Sequence, residues 1–330
     1  MCVVSSCVTF SPRPCFMFKS VARGYRARIL CNASRKNVLD KIDFELERGN
    51  DRTALALIRE SEAIRFFGKA KQVPQKLYTL DELKLNGIDT ASLLSPEDST
   101  LRLIERGFLF TVSIGGLAAW NFLGLNPQHL LLFSLIILFL WTFDLVAFNG
   151  GIGFLLVDTI GHKLSAKYRN RVIQHEAGHF LVAYLVGILP KGYTLTSQEA
   201  LQKEGSLNVQ AGTSFVDFEF LEEVNAGKVS ATTLNRVSCV ALAGVATEYL
   251  YYKCAEGGLG DINKLDGLLN GLGFSQKKAE GQVRWSLLNT VFILRRHEDA
   301  RVKLAEAMAL RKSVAFCINV IEENIINEHL

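Results

Sequence analysis

Acid is missing from the first 36 residues, and Asp40 is the first carboxylate of the chain. The same stretch has no apolar core of the length a secretory signal needs, which excludes that class of leader. It carries instead Arg13, Lys19, Arg23, Arg26, Arg28, Arg35 and Lys36 among scattered serines. Basic, serine-containing and acid-free is the composition of an organelle transit peptide, with cleavage expected near Cys31-Asn32-Ala33. Residues 1–12 are uncharged and lack an arginine-studded amphipathic helix. The leader therefore reads as plastidial, with a mitochondrial presequence as the alternative.

Paired cysteine spacing is also missing. Cys2, Cys7, Cys15 and Cys31 lie in the leader, which leaves Cys239, Cys254 and Cys317, an odd number with no CxxC. That argues against a disulfide framework and for small buried thiols in a reducing compartment. The net charge of +4 is too small to argue for nucleic acid.

Charge is absent from Gly107 to Phe143. This run is too long for one membrane span, which takes about 20 residues, and Gly124-Leu125-Asn126-Pro127 breaks it. A first span is expected over 107–123 and a second from Leu130 to about Phe148. Ile152 to Val157 is too short to cross and reads as interfacial, re-entrant or a helix extension. Asp144 falls late in the second span, where a place near the headgroup boundary is expected. Arg102 and Arg106 precede the pair; Lys163, Lys167, Arg169 and Arg171 follow it; the connecting turn has no Lys or Arg. Both long flanks then belong on the same, positive side. Residues 37–106, ahead of the spans, read as a small soluble helical segment with an amphipathic helix over Thr53 to Phe67. Pro74 and Pro96 mark turns there.

What is present is concentrated in His175-Glu176-Ala177-Gly178-His179. No Pro interrupts 170–187, and apolar residues dominate after His179, so the run reads as a helix. Residues four apart share a helix face, so His175 and His179 can address one metal ion. Glu176 sits where it can reach a metal-activated water without being a ligand, the arrangement of two ligands and a general base on one turn. Downstream, alternation over 215–220 suggests a short strand or hairpin. Ser230 to Lys253 reads as one apolar helix, with Glu248 on or beside its buried face. Asp261 follows a Gly-rich stretch, as an N-cap or as a carboxylate completing a two-histidine zinc site. Two helices, about 277–296 and 299–328, end the chain.

Three pieces of residues 165–330 resemble the peptidase domain of the FtsH-type membrane-bound AAA metalloproteases. They are His175 to His179, the helix from Ala243 to Leu250, and Gly260-Asp261-Ile262. The resemblance implies a mostly α fold: a membrane-anchored helical metallopeptidase domain over 161–330 with a small β hairpin, behind a transmembrane hairpin over 107–160. It implies Zn²⁺ held by His175, His179 and Asp261, with Glu176 as the catalytic base. Val245 replaces the family's Arg and Tyr249 its second Glu. No GxxxxGK[ST] occurs, so no ATP is expected to be used. The chain in this respect resembles the ATPase-less FtsH-like proteins of chloroplasts. A thylakoid or inner-envelope location follows, with both flanks in the stroma.

The function so implied is ATP-independent zinc endopeptidase activity on flexible or unfolded membrane-proximal protein segments. One alternative is a non-proteolytic scaffold that assembles with FtsH-type proteases or aids membrane-protein assembly; FtsH-type proteases or further copies of the chain are the expected protein partners besides substrates. Another is a site-2-type intramembrane protease, for which Leu265-Asp266-Gly267 would supply the third ligand. Residues 255–290 hold no hydrophobic span to carry that Asp into a bilayer, which counts against the last reading.

Overall fold

The computed structural model describes residues 33–124, 126–205 and 210–325, so most of the leader lies outside the described residues. The chain is mostly helical with one two-stranded antiparallel sheet. Before the spans come α1 (33–47), α2 (Asp51–Glu60), α3 (Leu80–Leu85) and α4 (Thr90–Leu94). The long apolar helices α5 (Ser99–Leu123) and α6 (Pro127–Phe148) follow, then α7 (Gly151–Leu164) and α8 (Ala166–Val186). Next are β1 (Pro190–Thr194), α9 (Ser197–Glu204), β2 (Gly212–Phe215) and α10 (Phe218–Asn225). The remainder is α11 (Ala231–Ala241), α12 (Ala243–Tyr252), α13 (Leu259–Gly271), α14 (Gln276–Arg296), α15 (Glu298–Ala309) and α16 (Val314–Asn324).

The centre is α8. Ser165 caps its first turn by accepting from the Tyr168 N–H, and Gly187 ends it in the left-handed conformation at φ 91°. From Gln174 to Val186 every residue is buried, so the helix is enclosed all round, by α11, α12, α14 and α15 among others. Phe180, Leu181, Tyr184 and Leu185 lose essentially all contact with solvent, each contributing about 1.5–3 kcal/mol of apolar burial.

α5 and α6 are long and apolar enough to cross a membrane, and their large apolar side chains are exposed. Asp98 caps α5 through the Leu101 N–H, Gly124 ends it, and Pro127 opens α6 at its first helical position. Asp144, near the end of α6, has a structural role. It is buried, and its two carboxylate oxygens accept from the Ile152 and Gly153 N–H groups at 3.0 and 2.9 Å. It thus satisfies orphan donors of α7 and turns the chain out of α6. Residues 152–157, expected to be interfacial, re-entrant or a helix extension, are part of α7, which packs on α5, α6 and α8.

Several expected elements end elsewhere. The helix expected over 53–67 stops at Glu60, because the Arg65 and Phe66 N–H groups are taken by the Glu322 carboxylate at 3.0 and 2.8 Å. The strand expected over 215–220 ends at Phe215, and Phe218 starts a helix; the partner of β2 is β1, across α9. The helix expected over 230–253 breaks at Leu242, and the one over 299–328 breaks between Leu310 and Ser313, where Arg311 is left-handed. Arg35, assigned to the leader, is buried in the folded body and pairs with Glu322 and Glu323 at 3.8 and 3.6 Å. One apolar core draws on Leu39, Ile58, Phe66 and Ile88 before the spans and on Phe180, Val291 and Ile321 after them. The segment ahead of the spans is therefore packed into the domain that follows.

Candidate metal centre

His175 and His179 sit one turn apart on α8, and Asp261 reaches them from the first turn of α13. The two Nε2 atoms are 3.1 Å apart, and Asp261 Oδ2 lies 3.3 Å from each. A tetrahedral zinc site with bonds of about 2.0–2.1 Å has ligand–ligand edges of about 3.3–3.4 Å. The three atoms form one face of such a tetrahedron, and together they could hold a metal ion.

The hydrogen bonds on the far side of each ring decide what that face presents. His175 Nδ1 donates to Glu248 Oε1 at 2.7 Å, and His179 Nδ1 donates to the Val240 carbonyl at 2.8 Å. A carbonyl and a carboxylate only accept, so the Nδ1 proton is fixed on both rings. In neutral rings the Nε2 lone pairs then face one another and a carboxylate, an arrangement that demands positive charge between them. The acid–base properties agree. Burial opposes charge on Asp261, but the two imidazoles outweigh it and hold its carboxyl far below the usual range. Burial likewise disfavours a charged His175, yet Asp261 and Glu248 push its pKa well above the ordinary value. Glu248 is lowered to about 2: its burial is outweighed by His175 and by the Glu256 and Gly257 N–H groups.

Close approach makes this possible. A Cβ on Gly244 would land on His175 Nε2, and one on Gly178 would land on Thr247 Oγ1, so glycine at each lets α12 lie directly against α8. At the break the Val240 carbonyl accepts from both the Leu242 N–H and His179 Nδ1. Gly258, at φ 88°, then swings the chain back so that α13 brings Asp261 in.

Glu176 is buried beside the histidines, and its Oε2 accepts from Thr213 Oγ1 of β2 at 2.8 Å. Its other oxygen makes no hydrogen bond among the described residues. Arg171, one turn before His175, spans Glu248 and Glu256 at 3.0 Å each. These groups line a cavity of about 380 Å³ that also touches Pro96 and Arg102 near the start of α5 and Phe154 on α7.

All four site residues read from the sequence come together. Asp266 does not: it is exposed and accepts from Asn270 Nδ2 at 3.0 Å. Asp261 is inside the first turn and not an N-cap; that position is Gly258. Thr213 and Val240 gave no signal in the sequence, and Glu248 only that of an apolar face. Where the chain departs from the FtsH-type pattern, the substitutes have structural partners. Val245 is buried beside Gly258, and Tyr249 accepts from the Asp89 N–H at 3.2 Å. Comparisons with models of protein families, with curated proteins and with solved structures return no match to this chain.

Proposed function

We propose that the chain is a membrane-anchored zinc endopeptidase, acting without an ATPase of its own on flexible or unfolded protein segments near a bilayer, in a plastid. The observation that carries this is the convergence of two Nδ1-protonated imidazoles and the Asp261 carboxylate beside Glu176. The FtsH-type resemblance adds to it on the strength of the quoted residues alone. A bound zinc ion supplies Lewis acidity, polarising a carbonyl and lowering the pKa of water.

The chain's own residues supply the rest. Thr213 holds Glu176 Oε2, which leaves Oε1 to take up a proton from the attacking water and return it to the leaving amine. Glu248 holds the tautomer and ring plane of His175, and Arg171 with two backbone N–H groups holds Glu248. Glu176 is itself buried, which limits its contact with bulk water.

The test is metal analysis and peptide cleavage by the full chain in lipid nanodiscs. The full chain is needed because residues on both sides of the spans share one core. Wild type and Glu176→Gln should each hold about one zinc per chain, and only wild type should cleave. Absence of metal from the wild type would sink the reading. Metal without cleavage would point to the scaffold alternative.

A further inference from the structure

One carboxylate of the cavity wall stands apart from the rest. Asp98, Asp158, Glu176, Glu248 and Glu256 face the cavity together with Arg102, Arg171 and His175. Arg171 is shared by Glu248 and Glu256, Lys167 also pairs with Glu256 at 3.7 Å, His175 holds Glu248, and Arg102 pairs with Glu97 outside. Asp158 is held by His162 at 3.2 Å, by Tyr168 and by the Ser197 N–H. Asp98 has none of this: it caps the Leu101 N–H and makes no ion pair among the described residues. Burial raises the pKa of its carboxyl, the bond from the Leu101 N–H opposes this, and Glu256 and Glu248 raise it further against Arg171. An independent feature points into the same space. Ser197 lines the cavity, is 3% exposed, and its Oγ has no hydrogen-bond partner among the described residues. A buried hydroxyl left in that state costs free energy that a donor from outside would recover.

Resting on the peptidase reading, we infer that this cavity seats the Lys or Arg side chain of a substrate's membrane-proximal segment. A cationic head would meet Asp98 and the lone pairs of Ser197, while its aliphatic stem would lie along Phe154. Arg102 lies in the first turn of α5, Pro96 just before that helix, and Phe154 in the first turn of α7 just after α6, so this wall of the cavity is adjacent to where the two apolar helices join the folded body. This chain's own flanks, from Arg102 to Arg171, mark the membrane face there as the positive side, where the flanks of other membrane proteins are rich in Lys and Arg.

The test is binding to the full-length, zinc-loaded Glu176→Gln chain in phosphatidylcholine nanodiscs, with empty nanodiscs as baseline. The probes are a fluorescent peptide carrying one Lys and its norleucine counterpart, read by anisotropy. The Lys peptide should bind about tenfold more tightly. Asp98→Asn keeps the helix cap, because its amide oxygen still accepts, and should abolish most of that preference. Ser197→Ala should reduce it about threefold, and both variants should keep wild-type helicity by circular dichroism. Equal affinity for the two peptides, or a preference that both substitutions leave intact, would overturn the inference. Wild-type cleavage separates the two readings. Cleavage without Lys or Arg preference removes this inference and keeps the peptidase. Lys-selective binding without cleavage keeps the cavity assignment and removes the peptidase.

Discussion

Asp261 is favoured over Asp266, five residues later, by its Gly-rich approach and by the Gly260-Asp261-Ile262 resemblance, and position in the fold separates the two. Its Oδ2 is 3.3 Å from both imidazoles, whereas Asp266 is on the solvent side of the same helix. Asp261→Asn replaces an anionic ligand with a neutral amide and should cost most of the bound zinc, measured by competition with a chromogenic chelator. Asp266→Asn should leave occupancy unchanged. The opposite pattern would return weight to the site-2-type reading. Glu248 acts through His175. Glu248→Gln keeps the volume but loses the charge, and zinc affinity should fall about 10–100-fold while the helical spectrum is retained. His175, Glu176 and His179 were legible because an i, i+4 pair on one helix needs only local geometry. Glu248, Thr213 and Val240 were not, because their roles depend on which elements pack against α8.

At the scale of elements, the contact between α8 and α12 decides whether the site forms. Both helices are apolar at this seam, but apolar patterning does not say how closely two axes come. The glycines do. A Cβ at position 178 meets Thr247 Oγ1 and lies 2.8 Å from the Ala243 carbonyl, a backbone atom that cannot swing away. Gly178→Ala should therefore destabilise by at least about 1–3 kcal/mol and lower the melting temperature. Gly267 supplies the control. It lies inside α13 with nothing within 4 Å of an added Cβ. Gly267→Ala should stabilise by about 0.5–1 kcal/mol through helix propensity alone. Equal effects from the two substitutions would remove the close-packing argument. The break at Leu242 was invisible for a related reason. Residues 230–253 contain no Pro, and Gly244 lies inside the resulting α12, so local signals favour one helix. The bend is imposed from outside, by the fit of Gly244 against His175 and of Val240 against His179.

Across the whole molecule, the segments before α5 and after α6 are inseparable. The Phe66 N–H and the Tyr184 hydroxyl both donate to Glu322 Oε1, at 2.8 and 2.6 Å, which joins the pre-span segment, the metal helix and the last helix at one buried carboxylate. The Val73 N–H donates to Asn289 on α14. Charge bias in the sequence placed the two flanks on one side of a membrane, but local patterns could not show that they fold together; contacts more than 200 residues apart have no local signature. The shared core turns the topology into a steric requirement. A core cannot be built across a bilayer, so a chain anchored through the helices between its halves is expected to cross an even number of times. α7 has 14 residues, about 21 Å of helix, which falls short of a hydrocarbon core of about 30 Å. α5 and α6 are the two helices long and apolar enough to cross, and a hairpin of the two is expected to put the turn around Gly124 on the far side. In sealed vesicles, protease added from one face should therefore cut at engineered sites near Gly49 and near Gly227 together, both at turns. A site inserted near Gly124 should be cut only from the opposite face. Separation of the first two sites would contradict both the shared core and the two-crossing hairpin.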